Sequence, residues 1–261
     1  MSELAQTNMQ LCRQVVALGW GDDDLARLRT AYELAMWLFS GQFRANGKTQ
    51  IAHHVGVAGA LAQTGARPTL VVGGLVHSSY FLGEFGSGRV GTDPDKRTRL
   101  VDTVGVEVEV LVDAYTEQAW NADAVRALRD DAAPSSIARD VVAMRLANEV
   151  DEWSDASARW TNDQPEPGLG GHEGLDRFVE LARAYDLAPL GDLLSRVAEQ
   201  ADATAVPDAL VTSETHTVFV PPASYRRRLH IALQDSRLGH EVAARVPGAR
   251  SLAERIRRAV S

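Results

Sequence analysis

The side chains with the widest chemical reach fall in two short segments, 50–55 (QIAHHV) and 75–80 (LVHSSY). The first carries His53 and His54, the second His77 and Ser78. Imidazoles titrate near neutrality and serve as metal ligands or as acid and base groups, so His53 and His77 are the first candidates. The bland alternative for both is a buried histidine satisfied by a neighbouring hydroxyl or amide. His54 follows His53 directly and points about 100° away on a helix, which makes it a supporting or packing residue. Ser78 could be a nucleophile activated by His77 or His53, but no aspartate is evident to orient the base. A serine that only hydrogen-bonds is the simpler reading. The sequence has no phosphate-binding glycine loop, no dinucleotide fingerprint, no nucleophile elbow and no paired-histidine zinc motif. His172, His216, His230 and His240 show no metal-like spacing among themselves, and the single cysteine, Cys12, excludes both an intrachain disulfide and a cysteine cage for zinc.

The elements that must carry these residues read as helices. Asp22, Asp23 and Asp24 offer N-caps, and Leu25, Leu28, Tyr32, Ala35, Met36 and Phe39 then recur at three- and four-residue spacing. Ile51, Val55, Ala58, Leu61 and Ala62 repeat the pattern as far as Gly65, and Pro68 opens a short buried helix through 70–76. Residues 78–93 hold four glycines and read as a long loop. Helical patterns resume over 101–120, where VGVEVEVLV alternates as a strand would, and over 135–153. A Pro- and Gly-rich connection at 161–174 precedes helices at about 175–187 and 189–203. An irregular linker follows over 206–222, with a short strand at 215–220. The tail from 223 reads as short helices with basic faces, opening on the run Tyr225, Arg226, Arg227, Arg228.

Four blocks in order, 43–55 (FRANGKTQIAHHV), 72–80 (VGGLVHSSY), 99–117 and 138–153 (ARDVVAMRLANEVDEW), resemble the hydrolase half of the RelA/SpoT-type stringent-response enzymes, members of the HD superfamily of metal-dependent phosphohydrolases. The resemblance spans roughly residues 28 to 200. It places Arg44 on the family's base-contacting arginine, His53 on the first metal histidine and His77 on the second. Ser78 stands where the family has its defining aspartate, and Asn148 stands where it has the last metal aspartate. The Glu-Asp pair that assists water attack is absent, and neither Glu84 nor Asp151 is at an equivalent position. Two histidines with a hydroxyl and an amide lack the charge that holds a hard divalent cation, so alarmone hydrolysis by the family's mechanism is not expected. The His-Ser and Ala-Asn pairs also resemble a small HD-like branch of unassigned function, which implies a coordinated alternative site. By the same resemblance Arg44 and Lys48 lie at the mouth of the cavity, where they could hold a phosphate or carboxylate. Tyr80, Phe81, Glu84 and Phe85 either form a lid or pack the loop, and Trp153 and Trp160 either stack on a ligand or join the core.

Composition narrows the field further. The 261 residues carry 27 basic and 35 acidic side chains for a net charge of −8, which excludes a general nucleic-acid binder. The longest apolar run, 70–76, is too short to span a bilayer, and the N-terminus lacks the pattern of a signal peptide, so a cytoplasmic protein is expected. The expected fold is all-α: an N-terminal helix over 1–24, an HD-like helical domain over 25–204 and a C-terminal helical extension over 205–261. The leading functional expectation is a small-molecule enzyme or ligand-binding protein, with His53, His77, Ser78 and Asn148 as its polar centre. Arg44, Lys48, Tyr80, Glu84 and Trp153 would surround the ligand, and no cofactor is expected. A second reading keeps a divalent metal on His53 and His77, with Glu84 or a neighbouring carboxylate added, for hydrolysis or oxygen chemistry. A third is a non-catalytic regulatory or partner-binding domain, and a homodimer is compatible with any of them.

Overall fold

The computed structural model describes residues 4–44, 46–86, 90–156, 159 and 168–211. Among the described residues the helices are α1 (Asn8–Ala17), α2 (Asp22–Phe39), α3 (Gln50–Gln63), α4 (Pro68–Val76), α5 (Ser79–Leu82), α6 (Pro94–Val104), α7 (Val106–Glu117), α8 (Ala122–Arg129), α9 (Ser136–Ser154), α10 (Gly171–Ala184) and α11 (Ala188–Ala203), with a 3-10 turn at Asp208–Leu210. Among the described residues the only β pairing is an isolated antiparallel bridge between Phe43 and Thr49. The fold is all-α, and no described helix is long and apolar enough to cross a membrane. Trp160, the run 225–228, His216, His230, His240, the strand expected at 215–220 and nearly all of the C-terminal extension lie outside the described residues.

The organising element is α3. Thr49 caps its N-terminus by accepting from Ala52 N, and every residue from 53 to 62 is buried. A helix with no solvent face must be covered on all sides. It lies against α4 and α9, with α1 and α2 completing the cover. The small residues on α3 and α4 permit the close approach: a Cβ on Gly74 would overlap Leu61, and one on Gly56 would overlap the Asp151 carboxylate.

Several local expectations change in the structure. The N-cap of α2 is Gly21, and Asp22, Asp23 and Asp24 occupy the first turn, where they still complement the helix dipole. The alternating VGVEVEVLV segment keeps the helical reading of 101–120, because Val108, Leu111, Val112 and Tyr115 bury one helical face while Val106 and Val110 are exposed. Gly105, at φ 92°, separates α6 from α7, and Arg27 Nε donates to the Val104 carbonyl at that break. The 78–93 loop begins with a helical turn, α5, whose Tyr80 is buried and donates from Oη to Glu109 Oε1 at 2.8 Å.

Candidate functional site

A tight connection before α3 sets the cationic edge of the site. Arg44 N donates to the Lys48 carbonyl at 2.8 Å, and Gly47, at φ 84°, closes the turn between them. Both side chains thereby face the C-terminal half of α9. Lys48 Nζ lies 2.7 Å from Asp151 Oδ1 and 2.7 Å from Asp155 Oδ2, and Arg44 pairs with Glu152. The two cations expected to hold a ligand anion are therefore neutralised by three carboxylates of α9 and its C-cap.

Behind this edge three imidazoles meet. Ring centroids are separated by 5.3 Å for His53 and His77, 5.4 Å for His53 and His54, and 4.7 Å for His54 and His77. All three are at most 2% exposed, and Ser78 is 7% exposed. His53 Nδ1–H donates to Asp151 Oδ2 at 2.7 Å, and Gln6 Nε2 donates to the other carboxylate oxygen at 3.2 Å. The Asn148 side chain, one helical turn before Asp151, is near enough to His53 to favour its protonated form. His77 Nδ1–H donates to the Gly74 carbonyl at 2.8 Å, and its ring meets Tyr115 edge-on at 5.2 Å. His54 stacks on Phe39 with centroids 4.0 Å apart.

The acceptors fix the tautomers. A carbonyl oxygen can only accept, so the 2.6 Å contact of His54 Nδ1 with Gln50 O places a proton on Nδ1 and leaves Nε2 as a lone pair. Ser78 Oγ lies 2.6 Å from that nitrogen and therefore donates to it. Burial pushes His54 well below its ordinary pKa, with His77 and His53 adding to the fall. Burial acts the same way on His53, helped by Arg44, His77 and Lys48, and it holds His77 at about 4. Burial pushes the Asp151 carboxyl upward, against the pull of Lys48. Neutral imidazoles next to a lysine-compensated carboxylate are the arrangement these distances favour.

His53, His77, Ser78 and Asn148 are thus gathered by α3, α4, α9 and the α4–α5 junction. Tyr80, Glu84 and Trp153 are not. Tyr80 faces Glu109, and the Glu84 carboxylate accepts from Gly86 N at 2.7 Å within its own loop. Trp153 is half-buried and meets His172 edge-on at 5.7 Å, away from the imidazoles. His54 and Asp151 belong to the cluster although sequence reasoning left them outside it. The signal for Asp151 was its three-residue spacing from Asn148, which puts both on one face of α9.

The donor set does not suit a divalent cation. Among the described residues no three of His, Cys, Asp or Glu group to hold a metal ion. The one carboxylate at the cluster is engaged by Lys48, Gln6 and the Nδ1 side of His53, while His54 Nε2 is taken by Ser78. Hard cations need charged oxygen donors turned towards them, and here those donors turn towards protein cations.

A family model described as a domain of unknown function, DUF6817, matches residues 37–118. That stretch contains His53, His54, His77, Ser78 and Tyr115 but stops before Asn148 and Asp151. No curated protein matches the chain.

Proposed function

We propose that this chain is a small-molecule enzyme or ligand-binding protein that uses a degenerate HD-type centre by acid/base and hydrogen-bond chemistry, without a divalent metal. The observation that carries the proposal is the Ser78 hydroxyl held 2.6 Å from a tautomer-fixed His54 lone pair. A neutral imidazole with its second nitrogen anchored is a prepared proton acceptor, and the adjacent hydroxyl is the proton it would take. His53, oriented by Asp151 and joined by Asn148, is the second oriented imidazole, and His77 is the third. The HD-like ancestry is part of the same proposal. Its support is the order in which His53, His77, Ser78 and Asn148 occur and the way α3, α4 and α9 bring them together.

The test has two parts. Untagged protein is analysed for iron, manganese and zinc beside the double variant His53→Ala/His77→Ala. Chelator-treated protein is then screened against neutral polar metabolites by thermal shift. The expected result is metal-free protein with at least one stabilising metabolite, whose effect is lost in His54→Gln and Ser78→Ala. Near-stoichiometric metal that disappears in the double variant would overturn the proposal.

Closure of the centre favours a second reading, a non-catalytic partner-binding domain, since the three histidines are at most 2% exposed. That reading predicts that His77→Ala preserves biological activity while truncation after Ala203 abolishes it.

A further inference from the structure

A cleft of about 570 Å³ opens on the other side of the Asp151 carboxylate, between α1, α3, the end of α9 and α11. Its apolar floor is Leu4, Leu193 and Val197. Its other lining residues are Gln6, Gln10, Gln63, Gln200, Ser154, Asp155 and Arg196. The volume lies in the range of small-molecule sites, and an apolar floor with convergent polar groups is their usual composition.

The two charged walls differ. Asp155 is already bonded to Lys48 at 2.7 Å. Arg196 is exposed and has no ion-pair partner among the described residues. It also lines a neighbouring cleft of about 530 Å³ with Gln63, Thr64 and Asp192. The glutamines are partly committed. Gln10 Oε1 accepts from Gln6 N and Thr7 N, which leaves its N–H groups to donate, and Gln6 donates to Asp151, which leaves its carbonyl to accept.

We propose that this cleft is a second ligand site, which takes a small organic anion with its acid group on Arg196 and its hydroxyl or carbonyl groups read by the glutamine amides. A planar guanidinium without a carboxylate partner is the natural seat for a carboxylate or phosphate, and primary amides match a polar body that both donates and accepts. The site is also joined to the histidine cluster. Gln6 and Lys48 both bond Asp151 Oδ1, Lys48 also holds Asp155, and Asp151 Oδ2 holds His53. A ligand that draws on Gln6 or Asp155 changes the support of His53 without touching it.

The experiment is calorimetric titration of the full chain with succinate, with glycerol 3-phosphate and with glycerol as the neutral control, on wild type, Arg196→Met, Arg183→Met and His53→Ala. Arg183 is also exposed but does not line the cleft. The expected result is saturable millimolar binding of at least one anion and none of glycerol. Affinity falls at least tenfold in Arg196→Met, is unchanged in Arg183→Met, and changes less in His53→Ala than in Arg196→Met. No saturable binding of either anion would overturn the proposal, as would equal affinity in wild type and Arg196→Met. Loss in His53→Ala with retention in Arg196→Met would place the anion in the histidine cluster and also refute it.

Discussion

Three neutral buried histidines make the stability of this protein steeply dependent on pH on the acid side of neutrality. Each imidazole titrates near 6.5 in an unfolded chain, while in the folded protein burial holds His77 at about 4 and pushes His53 and His54 well below their ordinary value. Between the two values the unfolded chain binds the proton and the folded chain does not, so stability rises with pH across that window. It is complete above about pH 6.5 and is lost as the pH falls towards the folded values. Each histidine contributes about 1.4 kcal/mol per pH unit inside the window, and three together contribute about 4 kcal/mol per pH unit. Two pH units remove about 8 kcal/mol, half or more of a typical total of about 5–15 kcal/mol. The carboxyls of Asp151, Glu149, Glu152 and Asp155 are pushed upward by burial and act with the opposite sign, above their unfolded values near 4. The histidine slope is therefore read as the difference between wild type and a variant that lacks one imidazole, across pH 6.5 to about 5.5. The assay is urea unfolding at half-unit pH steps on wild type and His77→Asn. In that variant the amide nitrogen can still donate to the Gly74 carbonyl but does not titrate. Wild type should lose stability steeply through the window, and His77→Asn should show about two-thirds of that slope. A wild-type slope below about 1 kcal/mol per pH unit, or an unchanged slope in the variant, would refute the assignment of buried neutral imidazoles.

Gly56→Ala places a Cβ on the Asp151 carboxylate and must displace it from Lys48, Gln6 and His53; a destabilisation of about 3 kcal/mol or more is expected by chemical denaturation. Ser78→Ala leaves the buried His54 Nε2 without its donor and should cost about 1–3 kcal/mol in the same assay, with the His54 ring nitrogen shifting in the NMR spectrum. Tyr80→Phe removes the hydroxyl that donates to buried Glu109 and should lower stability by about 1.5–3 kcal/mol, while metabolite binding at the histidine cluster stays unchanged.

The helices were readable because three- and four-residue apolar spacing reports a buried face directly. The strand-like alternation at 106–112 shows the limit of that signal, since seven residues fit both periods and only the position of Tyr115 decides between them. The encounter of His53, His77, Ser78 and Asn148 was expected from the family resemblance of the blocks that carry them. His54, read as a supporting or packing residue, stacks on Phe39 and bonds Ser78, and its place beside the other two imidazoles has a geometric reason. The angle between successive residues holds, but α3 is buried all round, so a side chain turned away from one site-lining helix faces another. The cationic mouth was misread for a similar reason. Arg44 and Lys48 are free in the sequence, and their partners Asp151, Glu152 and Asp155 lie about a hundred residues later, where no local pattern links them.

The burial of α3 on every side governs how the site can move. Backbone amides of a helix without a solvent face exchange with heavy water only when the domain opens as a whole, so α3 belongs to the slowest-exchanging part of the fold. His53 and His54 are mounted on that part, and their positions are settled as soon as the chain has folded. A molecule that reaches this centre meets a rigid template and is selected by its own shape, while whatever motion admits it must come from the helices around α3.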